Sequence, residues 1–124
     1  MTIFSTLVHI ALTEFADIVT NHELIRRRAS VPLKLRLYVC DGTLIDIWLS
    51  SDQARYAYHW EQRAIRGLIH RHDNAPDHPD VLTFPKHFHN RMENVVEPST
   101  ISDDPATALR EFLQFVRNKL ESLD

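Results

Sequence analysis

The sequence predicts an α+β fold, an antiparallel meander sheet of four or five strands packed by helices from the N- and C-terminal ends. Three observations carry this reading. Apolar residues recur at helical spacing at both ends of the 124-residue chain. Apolar and polar residues alternate from Leu33 to Cys40, and Asp41-Gly42-Thr43 is a turn that sends the alternation back on itself. With 44% hydrophobic and 25% charged residues the composition is that of an ordinary globular protein, and 1–124 is long enough to bury a core as a single domain.

From residue 2 to about 19, Phe4, Leu7, Val8, Ala11, Phe15, Ile18 and Val19 fall on one broad side of a helix, although Leu7-Val8-His9-Ile10 also reads as a strand. Glu23 to Ser30 and Leu33 to Cys40 follow as strands parted by Val31-Pro32, where a proline cannot donate to a ladder. Leu44 to Leu49 is the returning strand. A three-residue loop with Gly42 at a bulge sets Val39, Leu37 and Leu35 opposite Ile45, Ile47 and Leu49. Arg55 to Glu61 and Ala64 to His72 form a second hairpin about Gln62-Arg63. Its pairing puts Tyr56, Tyr58 and Trp60 with Ile65 and Ile69 on one face, and His59 with Arg66, His70 and His72 on the other. The stretch from Asp73 to Ser99 has four prolines and no glycine and reads as one long loop that packs through Val81, Leu82, Phe84, Phe88, Val95 and Val96. Ser102-Asp103-Asp104-Pro105 caps a last helix, whose Leu109, Phe112, Leu113, Val116 and Leu120 form one stripe.

Several function classes fall away. There is no 18-residue apolar run to span a membrane, and Met1 to Leu12 lacks the basic start and cleavage pattern of a signal peptide, so a cytoplasmic address is expected. The single Cys40 excludes a disulfide framework. A formal charge of −3 argues against a protein that binds nucleic acid with its whole surface.

Six of the eight histidines fall between His59 and His89. Imidazole gives and takes protons near neutral pH, so three chemistries are open for such a cluster. Cleavage of RNA without metal needs a base for the 2′-OH, an acid for the leaving 5′-oxygen and a cation for the phosphorane. His59, His70, His78, His87 and His89 are candidate bases and acids, with Arg71 and Lys86 as phosphate cations. Metal ligation is the second chemistry, because His70-x-His72 and His87-x-His89 each put two rings on one strand face and Asp73 or Asp77 can complete a set; no thiolate pair or His-Glu-x-x-His spacing supports it. The third is structural, with the rings stacked on Phe84, Phe88 or Trp60. Arg71-x-Asp73 is either a phosphate contact with its orienting carboxylate or an ion pair at the loop exit. Arg26, Arg28 and Arg36 form the basic concentration, which can track a phosphate backbone or guard an edge strand with charge. Tyr56, Tyr58 and Trp60 read as core before they read as a base-stacking platform.

The run Tyr58-His59-Trp60, Arg71-His72-Asp73-Asn74-Ala75-Pro76-Asp77-His78-Pro79, Thr83-Phe84-Pro85-Lys86-His87-Phe88-His89 and Val96-Glu97-Pro98-Ser99 resembles the TumE family of bacterial toxins. That family's pattern runs Arg-x-Asp-Asn-Ala-Pro-His-His-Pro and then Thr-Phe-Pro-His-His-Lys-His. The resemblance covers roughly residues 55–100. Asp77 and Lys86 stand where the family carries histidine, so those two positions are not essential histidines here. The resemblance implies the toxin of a toxin-antitoxin pair with a helix-turn-helix antitoxin as partner. Toxins in general suggest RNA as the substrate; self-association of the chain completes the expected partners. On this reading His59, Arg71, Asp73, His78, His87 and His89 are catalytic, Arg26, Arg28, Arg36 and Lys86 contact RNA phosphates, and no cofactor or metal is expected. A histidine-rich metal-binding hydrolase or oxygenase and a noncatalytic binding module are the alternatives.

Overall fold

The computed structural model describes residues 2–27 and 31–123. Helix α1 (Ile3–Glu14) is followed by strands β1 (Val19–Arg27), β2 (Val31–Val39), β3 (Leu44–Leu49) and β4 (Tyr56–Glu61), a helical turn α2 (Arg63–Arg66), strands β5 (Ile69–Asp73), β6 (His87–Arg91) and β7 (Val96–Pro98), and helix α3 (Pro105–Glu121). Every strand pairs antiparallel with the next, so the sheet is a seven-stranded meander in the order β1 to β7. The meander and its terminal helices are as expected, but the strand count exceeds four or five because β6 and β7 lie inside what reads as a loop.

Both helices sit on one face of the sheet. Thr2 caps α1 by accepting from the Ser5 N–H, and Asp104 caps α3 by accepting from the Thr107 N–H, with Pro105 in the first turn. Leu7, Ile10 and Ala11 of α1 meet Leu109, Phe112, Leu113 and Val116 of α3 and the inward row Leu35, Leu37, Ile45, Ile47, Tyr58 and Trp60. Leu37 has no exposed surface at all. Leu37→Ala is expected to cost about 2 to 5 kcal/mol by transfer and cavity terms together. Urea unfolding measures it, and a loss under about 1 kcal/mol would contradict the packing described.

Boundaries and registers correct the sequence reading at four places. Helix α1 ends at Glu14 rather than near residue 19, and Val19 opens β1 instead; Phe15, Ile18 and Val19 are buried all the same. Pro32 lies within β2 opposite Arg26, at a register shift that absorbs its missing donor. The first hairpin does turn through a Gly42 with φ of +90°, yet it pairs Leu37 with Ile45 and Leu35 with Ile47, two residues from the expected register. A slip of two keeps every side chain on its face, so alternation alone could not distinguish the two registers.

The second hairpin differs more consequentially. Residues 63–66 form α2, closed by Gly67 at φ +73°, and β4 pairs with β5 as Trp60 with His70, Tyr58 with His72 and His59 with Arg71. The register therefore shifts by an odd number from the expected one, which exchanges the faces of β5. His70 and His72 join the helix-covered face, whereas Arg71 and Asp73 share the opposite face with His59.

Candidate functional site

On the face away from the helices, cross-strand pairing lines up Arg36, Asp46, His59, Arg71 and His89 on successive strands, and one pair further along it puts Asp73 beside His87. Alternation in His87-Phe88-His89 keeps both imidazoles on this side and sends Phe88 to the helix side, where it stacks on His72 at 4.3 Å between centroids. The chain leaving Asp73 folds back over the same face. Asp73 accepts from the Ala75 N–H at 3.0 Å, and Asn74 accepts from the Tyr56 N–H at 3.0 Å while donating to the Ala54 carbonyl at 2.7 Å. These bonds aim the following residues so that the His78 ring lies 4.6 Å from His87 and 5.6 Å from His89; His87 and His89 are 4.8 Å apart.

His78 and His89 line a cleft of about 460 Å³ with Trp48, Arg55, Tyr56, Ala57, Arg71, Asp73 and the turn 74–77, and His87 lies behind them. His87 and His89 are buried, at 1% and 5% exposure. Each is oriented by a backbone carbonyl: Nδ1–H of His87 donates to Pro85 at 3.0 Å and Nδ1–H of His89 to Glu93 at 2.8 Å. Because a carbonyl only accepts, the proton of each neutral ring sits on Nδ1 and the Nε2 lone pair is directed inward. Both Nε2 atoms face Asp73, at 3.1 Å for His87 and 3.6 Å for His89. Burial holds the His89 pKa below the ordinary value.

Arg71 is the cation paired with Asp73. Burial opposes its charge, but bonds to Glu93 and Asp73 outweigh that and raise its pKa. Its Nε donates to Asp73 at 3.0 Å, and its two terminal nitrogens grip Glu93 at 3.1 and 2.5 Å. That two-pronged contact is the one a guanidinium makes with phosphate. Glu93 is half exposed, and Arg71 holds its pKa down to about 2.

His78, His87, His89, Asp73 and Arg71 thus meet in one place. His59 stands beside them with both ring nitrogens engaged, Nε2 with Glu61 at 3.1 Å and Nδ1 with Arg71 at 3.3 Å, and burial lowers its pKa. Lys86 points elsewhere, donating to the Ile101 carbonyl at 2.7 Å and lying 3.3 Å from Asp103. Arg36 makes two bonds to Asp46 at 2.8 and 3.0 Å, at the far end of the cross-strand row. Arg26 is exposed on the edge strand β1, and Arg28 lies outside the described residues. His70 and His72 pack against α3: His70 lies 5.0 Å edge-on to Phe115, and burial takes both pKa values down to about 4. Glu93, Trp48 and Arg55 carry no signal in the sequence, since each takes its place only through strand register or the closing of a turn. Exposed single Trp, Arg and Glu residues are otherwise unremarkable on a sheet.

Among the described residues no helix is long and apolar enough to cross a membrane. No curated protein and no solved structure matches the chain. The family model described as Toxin TumE matches residues 8–120, which takes in every strand of the sheet and all of α3 but its last residue. With most of its length matched, and with the histidine strand, the Asp73 turn and the cleft all inside the match, the chain belongs to the TumE family of toxins.

Proposed function

We propose that this toxin acts on RNA, cutting the chain by proton transfer in the cleft above β5 and β6. The convergence of three imidazoles with Asp73 and Arg71 carries the reading. Transfer of a phosphoryl group from the 5′-oxygen to the neighbouring 2′-OH needs a base, an acid and a cation. The histidine cluster supplies proton-transfer groups, and Arg71 supplies the two-pronged phosphate contact once a phosphodiester displaces Glu93. The product ends are a 2′,3′-cyclic phosphate and a 5′-hydroxyl. Trp48, 37% exposed at the rim of the cleft, offers a flat surface for a base.

As a toxin of a toxin-antitoxin system the chain has an antitoxin, and we take this to be a helix-turn-helix protein that silences the cleft. Sequencing of RNA ends in cells expressing the chain with and without the neighbouring gene tests both statements. New 5′-hydroxyl ends are expected only when the antitoxin is missing, and an unchanged population of ends would contradict the RNA reading.

Glu93 provides a finer test. If its carboxylate stands in for phosphate on Arg71, Glu93→Gln should tighten binding of a short single-stranded RNA by roughly two- to fivefold, the range of an exposed ion pair. Fluorescence anisotropy measures this. Unchanged or weaker binding would show that phosphate does not dock on Arg71.

A further inference from the structure

We propose that His78, His87 and His89 form a binding site for one divalent transition-metal ion, of which zinc and cobalt are the type. The ligand atoms of the three residues all lie within 4.8 Å of one another. The orientation of the rings adds a second argument. Metal-binding histidines ordinarily donate their remote N–H to a carbonyl or carboxylate, which fixes the lone pair of the other nitrogen toward the ion. His87 and His89 do this with the Pro85 and Glu93 carbonyls. Their Nε2 atoms then face the Asp73 carboxylate at 3.1 and 3.6 Å, so a cation placed among them meets donors from both rings and from Asp73.

One divalent ion takes the lone pairs of both rings and leaves Asp73 as the compensating anion. Asp73 is already tied to Arg71 and the Ala75 N–H, so it is oriented before any ion arrives. Imidazole donors without thiolate select zinc and its first-row neighbours over magnesium and calcium, which take oxygen. Tetrahedral ligands about 2.1 Å from zinc lie about 3.4 Å apart, so the widest ligand pair closes by up to about 1.4 Å on binding. His78, half-buried on the chain that folds back over the sheet, is the member free to move.

The inference deepens the RNA reading of the same cleft. Water on such an ion loses its proton near pH 7, so an occupied site supplies the base from the ion while Arg71 keeps its phosphate contact.

The test is metal uptake by chelator-stripped protein in the absence of RNA. Cobalt is titrated for its visible absorption, and zinc is measured by competition with a chromophoric chelator. About one equivalent is expected, with the absorption of a nitrogen-rich tetrahedral or five-coordinate site. His78→Ala, on the outer side of the cluster, should weaken binding roughly tenfold or more, the loss typical of removing even an outer partner of a ligand. His22→Gln, at an exposed position on β1, should bind as the parent does. Failure of the parent to take up either ion at micromolar concentration would overturn the proposal, as would uptake by His78→Ala and His87→Ala equal to that of the parent. A protein that binds the ion but cuts no RNA sinks only the RNA reading; one that cuts RNA but takes up no ion sinks only this inference.

Discussion

Expression of the chain without its antitoxin is expected to arrest bacterial growth, and His87→Ala or Arg71→Ala is expected to relieve the arrest. The size of the effect follows from the chemistry. A positioned acid or base contributes about 10² to 10⁴ in rate, and loss of the charge that stabilises the phosphorane costs a comparable factor, so either change takes the toxin far below an effective dose. His87 is the stronger choice because it lies at the centre of the cluster, 4.6 Å from His78 and 4.8 Å from His89 between ring centroids. Since it is also 1% exposed, its removal could unfold the protein and mimic loss of function. His78→Ala, which vacates no buried position, keeps the result interpretable. Growth curves with circular dichroism on the purified variants measure both quantities. Folded single variants as toxic as the parent would show that the cleft does not carry the toxicity.

Stability is expected to fall steeply on mild acidification. His70 and His72 have pKa values of about 4 in the folded protein because burial disfavours their charged forms. In the unfolded chain both return to the ordinary value near 6.5. Between these limits the unfolded state binds more protons, so the stability these groups leave intact above about pH 6.5 is lost as the pH drops toward 4. From pH 7.5 to pH 5 the loss is about 2 kcal/mol for each group, or about 4 for the two, against a total stability of about 5 to 15 kcal/mol. His59 and His89, also lowered by burial, act in the same direction. Urea titrations across this pH range measure the effect, and His72→Gln should remove close to half of it. Flat stability down to pH 5 would mean that neither ring is buried in its neutral form.

These two histidines also show what the sequence can and cannot convey. The terminal helices, the first hairpin and the core positions Leu35, Leu37, Ile45, Ile47, Leu113 and Val116 are legible because period and burial agree there. The second hairpin is not. Ala64 to Gly67 carries no strong breaker before Gly67, so α2 is invisible and the register moves by an odd step that exchanges the faces of β5. His70 and His72 then take core positions that hydrophobicity alone would never assign to them, Gln62 donating to His70 at 2.8 Å and the Ser99 hydroxyl bonding His72 at 2.7 Å. Strands β6 and β7 are hidden for a related reason. His87-Phe88-His89 alternates, but with imidazole on the face where a strand usually shows either plain apolar or plain solvated residues. The convergence of His78, His87 and His89 with Arg71 could be anticipated from the apolar content of the segment after Asp73, which must fold back on the sheet, and Asp73 joins them through the register of β5 with β6. The partners that occupy Arg71, above all Glu93, come from a turn whose geometry no local pattern encodes.

The most direct test of the account is the chemistry of RNA ends made by purified protein. A single-stranded RNA incubated with the parent, with His87→Ala and with Arg71→Ala is analysed by mass spectrometry for its termini. Attack by the 2′-OH predicts fragments ending in 2′,3′-cyclic phosphate and beginning with 5′-hydroxyl, abundant with the parent and reduced at least about a hundredfold in either variant. RNA left intact by the folded parent, or cut equally by all three proteins, would contradict the claim that this cleft acts on RNA.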